Sequence, residues 1–162
     1  MLTYEKFDFN ALTRADFLKF VEIEQNCGLD DPYPPELIFE ILEAMDNFVC
    51  RADGEIVGFI MTSPKTHYLH GSAYIVNINV AAPWRGQGIA KKLILMACRH
   101  YLKTRSEGYM SLDVAKTSRA RALYRKIGFG ETIIPSRNGP SDLVMAAPMK
   151  RLEQNLIRLT EA

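Results

Sequence analysis

Between Tyr74 and Tyr101 the chain reads YIVNINVAAPWRGQGIAKKLILMACRHY, and no other run narrows the choice of fold as much. Tyr74 to Val80 is rich in β-branched residues and predicts a buried strand, broken after Ala82 by Pro83. From Ile89 the apolar side chains recur at Leu93, Met96, Ala97 and Tyr101, the spacing of one helix face. A strand therefore runs into a helix through Arg85-Gly86-Gln87-Gly88-Ile89-Ala90. The two glycines remove Cβ bulk and widen the allowed backbone angles, so several N–H groups can converge on one anion where the helix begins. A phosphate suits such a turn.

A glycine pair before a helix is also an ordinary tight connection, and Gly86-x-Gly88 opens a dinucleotide fingerprint as well. Two features count against that fingerprint. Lys91 stands at its third glycine, and Ala81 to Arg85 separate the strand from Gly86, where the glycines should follow directly. No Gly-Lys-Ser/Thr ending follows Gly86, which excludes a P-loop. The whole unit instead resembles the signature of the GNAT superfamily of N-acetyltransferases: Gln or Arg, two free positions, Gly, one free position, then Gly or Ala. Arg85, Gly88 and Ala90 meet it. The resemblance implies that this turn, opened by Arg85, binds acetyl-CoA, with the amides of Gly86, Gln87, Gly88, Ala90 and Lys91 on the pyrophosphate. It also implies that the strand near Ile78 and Val80 lies along the pantetheine.

At 162 residues the chain has the size of one domain with a real core, so a single N-acetyltransferase domain over residues 1–162 is expected. With 20 basic against 19 acidic residues the net charge is +1, and no global field draws the chain to nucleic acid or to an anionic membrane. Cys27, Cys50 and Cys98 are far apart, odd in number and without C-x-x-C spacing; they read as small buried hydrophobes in a reducing compartment. The first residues carry Glu5, Lys6 and Asp8 without an apolar run, and no stretch is apolar enough to span a bilayer. A cytoplasmic protein is expected.

Leu2 to Phe7 predicts an edge strand. Thr13 is a candidate N-cap with Asp16 in the first turn, followed by an apolar stripe of Phe17, Leu18, Phe20, Val21 and Ile23 ending near Asn26. Gly28 to Pro35 is a stiff, proline-rich loop, and a second helix starts at Pro34 or Pro35 with Leu37, Ile38, Ile41, Leu42 and Met45 inward. Asn47–Ala52 and Glu55–Thr62 flank Asp53-Gly54, the dipeptide of a type I′ hairpin. Tyr109–Val114 is a strand parallel to the central one, since a helix lies between them. Ser118 caps a short helix that Gly128 ends; Phe129–Ile134 and Asp142–Met149 are the last strands, and Arg151–Leu159 is a final amphipathic helix or a frayed tail. The sum is an α/β fold: a mixed, mostly antiparallel central sheet with a parallel central strand pair, flanked by helices. That order agrees with the GNAT, or acyl-CoA N-acyltransferase, fold.

The segment from Leu112 to Phe129, LDVAKTSRARALYRKIGF, resembles the family's second motif, L-x-V followed by N-x-x-A-x-x-L-Y-x-x-x-G-F. Ala120 takes the alanine place and Thr117 the asparagine place, with one residue fewer after Val114; both are expected on the cofactor, Thr117 through its hydroxyl. The resemblance makes Tyr124 the chemical residue, a phenol that can protonate the thiolate leaving in amine acetylation. Many relatives carry a glutamate on the central strand. This strand has Asn77 and Asn79 instead, so the expectation is that Asn77 holds a water relaying the amine's proton, with Asp113, His67 and His70 as the other titratable candidates. The acceptor side is expected from three loops, with Asp30 and Asp31 drawing a cationic amine and Tyr33 and Tyr68 as aromatic walls. Lys91, Lys92, Arg119 and Arg121 lie near the two helix starts, in reach of CoA phosphates or simply solvated.

The resulting expectation is an acetyl-CoA-dependent N-acetyltransferase acting on a primary amine of a small molecule or protein, by direct attack in a ternary complex, without metal, nucleic acid or membrane. A homodimer is left open. The alternative is a catalytically weak CoA-binding regulatory or partner protein of the same fold, motivated by the missing strand carboxylate; a nucleotide-dependent oxidoreductase is the third class.

Overall fold

The computed structural model describes residues 1–28, 31–69, 72–105 and 107–161. Seven strands are hydrogen-bonded in the order β1-β2-β3-β4-β5-β7-β6. The chain divides into two compact units: Met1–Thr62 with Asn77–Ile94, and Ser63–Val76 with Leu95–Ala162.

In the first unit, β1 (Leu2–Lys6) is the edge strand the alternation predicts and runs antiparallel to β2 (Asp46–Ala52), which pairs with β3 (Glu55–Ser63). Asp53 at φ 51° and Gly54 at φ 88° both adopt positive φ, the requirement of the expected type I′ turn. Helix α1 (Arg14–Gln25) starts where Thr13 accepts the Asp16 N–H at 3.1 Å. Helix α2 (Pro35–Ala44) begins with proline, whose missing N–H costs nothing in a first turn. Edge-to-face packing of Phe20 on Phe7 and on Phe59, each at 5.2 Å between ring centroids, anchors α1.

The apolar stripe expected for α1 needs correction. Leu18 is exposed, and the buried side carries Phe20, Ile23 and the carboxylate residue Glu24. A helix advances about 100° per residue, so Leu18 and Phe20 point to nearly opposite sides while Glu24 stacks one turn beyond Phe20. On α2 likewise, Ile38, Ile41 and Leu42 are buried and Leu37 is largely exposed.

Strand β4 (Ala73–Val80) is less buried than its composition predicts: Ala73 and Ile75 are covered, but every residue from Val76 to Val80 is half-exposed. Ala82–Trp84 forms a 3₁₀ turn at Pro83, and α3 runs over Ile89–Leu102.

In the second unit the start of β4 pairs parallel with β5 (Tyr109–Ala115) through Ala73↔Met110 and Tyr74↔Ser111, as the crossover requires. Strand β7 (Asp142–Pro148) lies antiparallel between β5 and β6 (Gly130–Pro135). Helix α4 (Ala120–Ile127) has Arg119, not Ser118, in its capping position, although the Ser118 hydroxyl still accepts the Ala120 N–H at 3.2 Å. Gly128 at φ 125° ends it as expected. Helix α5 (Met149–Thr160) is ordered rather than frayed and begins earlier than expected, burying Met149, Leu152 and Leu156. All three cysteines are free; Cys50 and Cys98 are buried, while Cys27 is half-exposed, against expectation.

Candidate functional site

The turn before α3 is built from backbone. Gly86 and Gly88 sit at φ 79° and 81°, and nothing lies within 4 Å of a Cβ placed on either, so conformation rather than crowding demands glycine. The first helical bond is Lys92 N–H to Gly88 carbonyl at 3.1 Å, which leaves the preceding amides without an intrahelical acceptor. Among the described residues no acceptor is found for the amides of Gly86, Gln87, Gly88, Ala90 or Lys91. The side chain of Arg85 braces the turn: Nε donates to the Val80 carbonyl at 2.9 Å and a terminal nitrogen to the Asn26 carbonyl at 3.3 Å. Ile78 and Val80 are half-exposed on β4 just upstream.

The residue missed by sequence reasoning is Glu24. It is 1% exposed and is held by three N–H donors: Asn77 at 2.7 Å and Asn79 at 2.6 Å on Oε1, and the Tyr33 backbone N–H at 2.9 Å on Oε2. A buried carboxylate is tolerated only with such donors. Its position one turn beyond Phe20 was a readable sign of burial; its partners were not. In the same cluster the Asn77 amide nitrogen faces Glu24, and its Oδ1 accepts from Asn79 Nδ2 at 3.3 Å. Asn79 Oδ1 stays available as an acceptor.

In the second unit Tyr124 lies on α4, its ring buried against Phe129 at 5.7 Å in an edge-to-face contact. Burial pushes its phenol up to about 12, so the hydroxyl holds its proton across the neutral range. Among the described residues the one buried side-chain oxygen or nitrogen lacking a partner is Asn47 Oδ1, so the Tyr124 hydroxyl, which has no protein partner, is not sealed from solvent. Thr117 is exposed and Ala120 half-exposed in the turn that leads into α4.

Asp113, half-exposed on β5, is ringed by hydroxyls. Tyr68 donates to Oδ1 at 2.9 Å, Ser136 to the same oxygen, and Tyr74 to Oδ2; the Arg137 N–H donates in turn to the Tyr68 oxygen at 2.9 Å. Burial pushes the Tyr68 phenol up, which keeps it a donor.

The remaining expected residues fall as follows. Asp31 is exposed, and Tyr33 reaches Glu24 through its backbone. His67 is exposed; Asp30 and His70 lie outside the described residues. Lys92 stands over the Tyr4 ring, 5.4 Å from its centroid. Arg121 is engaged by Glu131 and by the Lys116 carbonyl. Burial pushes the thiol of Cys50 up and that of Cys98 up to about 12, and both are poor nucleophiles.

A family model described as Acetyltransferase (GNAT) family matches residues 11–129. The chain is 34% identical over 112 residues to the N-terminal acetyltransferase A complex catalytic subunit ard1 of Schizosaccharomyces pombe. That alignment covers 62% of this chain and 62% of the relative, so the chain spans less than two thirds of the relative's length. Among solved structures it is similar to the ribosomal-protein-S18-alanine N-acetyltransferase from Escherichia coli, with a TM-score of 0.70 and 24% identity over 92% of this chain and 94% of that one. It is also similar to the PaiA N-acetyltransferase from Thermoplasma acidophilum, solved in complex with coenzyme A, with a TM-score of 0.73 and 16% identity over 90% and 98% of the two chains. Both structural likenesses concern the fold.

Proposed function

The chain belongs to the acetyltransferase (GNAT) family, and from that premise we propose that it transfers an acetyl group from acetyl-CoA to a primary amine of a small molecule or protein, by direct attack in a ternary complex. The observation that carries this reading is the run of amides without acceptors at Gly86, Gln87, Gly88, Ala90 and Lys91, held in place by two glycines at positive φ. Such a set of donors at the start of a helix fits a pyrophosphate. Acetyl-CoA, when bound, supplies the activated acyl group.

The chain's own residues divide the remaining work. Ile78 and Val80 lie along the pantetheine, and the Thr117 hydroxyl and Ala120 contact the cofactor from the second motif. Tyr124 donates its proton to the departing sulfur, a role that its buried ring and unshared hydroxyl suit, and the proton that the amine sheds on attack passes to solvent water. Glu24 and Asn77 are positioning residues. By fixing the Asn79 amide nitrogen, they leave Asn79 Oδ1 to accept an N–H of the incoming amine. Asp31, Tyr33 and Tyr68 border the acceptor. The buried thiols of Cys50 and Cys98 make no acyl-enzyme. The same reading puts the enzyme in the cytoplasm, where free cysteines stay reduced.

Steady-state kinetics with acetyl-CoA and a panel of amines, reading free CoA thiol, test the proposal. Intersecting lines are expected; parallel lines would sink direct transfer. A second reading, a CoA-binding protein without turnover, is favoured by the sealed state of Glu24, the carboxylate bonded to β4. Tight CoA binding with no thiol release on any amine would select it.

A further inference from the structure

Among the described residues no protein group hydrogen-bonds the Tyr124 hydroxyl, so its placement falls to ring packing and to α4. That helix has only 8 residues, and so short a helix is marginal without tertiary support. The last four carbonyls of any helix need donors from outside its own ladder. Here the Tyr124 carbonyl accepts the Gly128 N–H at 3.1 Å and the Phe129 N–H at 2.9 Å, and the Arg125 carbonyl shares the Gly128 N–H at 3.1 Å. The carbonyl of buried Ile127 is met from another helix: Asn155 of α5 donates to it through Nδ2 at 2.9 Å. The far end of that amide is fixed too, because Arg158 donates to Asn155 Oδ1 at 3.2 Å. A Cβ at Gly128 would stand 2.6 Å from Asn155 Nδ2, so glycine opens this approach as well as taking φ 125°. Leu152 and Leu156, both buried, anchor the helix that carries the donor.

We propose that Asn155 is a positioning residue for Tyr124: by holding the Ile127 carbonyl it fixes the last turn of α4, and α5 thereby sets where the phenol points. The linkage is short. Ile127 and Tyr124 are neighbours on one helix face, and the Tyr124 carbonyl takes the N–H of Phe129, whose ring packs edge-to-face on the Tyr124 ring. A rotation of that turn therefore moves the phenol and its ring wall together. A displacement of about 1 Å from the leaving sulfur is enough to cost on the order of 10²-fold in rate. Elsewhere on α4, Arg121 and Arg125 pair with Glu131, but a clasp of partly solvated side chains fixes little. The inference rests on the acetyl-transfer reading and names the residue that aims its proton donor.

Asn155→Asp keeps the side chain's shape but sets an anionic oxygen against the Ile127 carbonyl, whereas Asn155→Ala leaves that carbonyl to water. In steady-state kinetics with acetyl-CoA and an amine that turns over, Asn155→Asp should lower kcat at least about tenfold and Asn155→Ala by a few-fold. Both KM values and the calorimetric CoA affinity should stay within about twofold of wild type. Glu131→Gln, which cuts only the solvated clasp, should keep kcat within about twofold. A second readout needs no turnover. In protein labelled at tyrosine Cζ, the Tyr124 resonance is identified by its absence in Tyr124→Phe. It should titrate well above the ordinary value of about 10 in wild type and move toward that value in Asn155→Asp, as the ring loosens. Wild-type kcat in a folded Asn155→Asp overturns the proposal. So does a kcat loss that Glu131→Gln reproduces, or one matched by an equal loss of CoA affinity, since either marks general loosening. Should Asn155→Asp melt below the assay temperature, Asn155→Ala decides, and an unchanged kcat with an unchanged tyrosine titration counts against the proposal. The two readings fail separately. No acetylation of any amine, with a Tyr124 resonance that still moves, removes the enzyme reading alone; acetylation with that resonance unmoved removes the positioning role alone.

Discussion

At their candidate sites the first unit builds its polar chemistry from amides and the second from hydroxyls. Around Glu24 and at the Gly86–Gly88 turn every donor is an N–H whose direction is set by the backbone or by a planar side-chain amide. Around Asp113 and at Tyr124 the polar groups are O–H, free to rotate, to donate or accept, and to titrate. An amide arrangement suits a group whose place must not change, such as a pyrophosphate or a structural carboxylate. A hydroxyl arrangement suits groups that exchange protons or partners. The two carboxylates make the difference concrete: each has three donors, yet Glu24 is sealed and Asp113 is half-exposed.

If amides fix and hydroxyls yield, removing Glu24 should be the most damaging change. Glu24→Ala leaves Asn77, Asn79 and the Tyr33 N–H without their acceptor, at roughly 1–3 kcal/mol per buried unsatisfied group, so a loss of about 3 kcal/mol or more is expected in urea denaturation. Glu24→Gln keeps the shape and the two acceptor positions used by Asn77 and Asn79 but turns its NH2 toward the Tyr33 N–H, so it should lose less than Glu24→Ala. Equal losses would show that the charge rather than the donor geometry matters.

At the turn, Gly88→Glu puts bulk, charge and an unfavourable φ where the pyrophosphate is proposed to sit. CoA affinity should fall on the order of 10²-fold by calorimetry, as expected when repulsion replaces charge-assisted bonds. Gly88→Ala adds only backbone strain of about 1–2 kcal/mol, because the space around it is open. Unchanged CoA binding in Gly88→Glu would take the phosphate away from the amide region.

On the hydroxyl side, Tyr124→Phe should lower turnover on the order of 10²-fold while CoA affinity changes by only a few-fold, since the lost bond exists mainly in the transition state. Normal turnover in a folded variant would make Tyr124 a wall residue, with the sulfur taking its proton from water. The same phenol sets a pH test. Its folded value, about 12, is above the ordinary 10, so its contribution to stability is complete below pH 10 and is lost as pH rises through 12. The stability advantage of wild type over Tyr124→Phe should therefore shrink between pH 10 and 12; an advantage growing with pH would contradict the burial argument.

The smallest effect belongs to Asp113. Asp113→Asn keeps an acceptor for the hydroxyls, and its thermal stability should stay within about 1 kcal/mol of wild type. A loss as large as that of Glu24→Ala would erase the contrast between the two carboxylates.

Local features were legible where the chemistry that makes them is local. Thr13 sits three residues from the amide it caps, Asp53-Gly54 carries its own turn, and the glycines before α3 announce a backbone site because only glycine takes that φ cheaply. The alternation of strands and helices likewise gave the parallel pairing of β4 with β5, since a crossover through α3 leaves little choice. The side-chain sites were not legible. Glu24 meets Asn77 and Asn79 across 53 and 55 residues, and Asp113 meets Tyr68, Tyr74 and Ser136 across 45, 39 and 23. Periodicity can say that a carboxylate shares a face with Phe20, but which donors meet it there is decided by how strands and helices stack. A side chain's partners are set by three-dimensional neighbours, whereas a backbone turn's conformation is set by the residues that compose it; the sequence therefore determined the turn and the order of elements, and the tertiary structure alone decided which acids are held and by what.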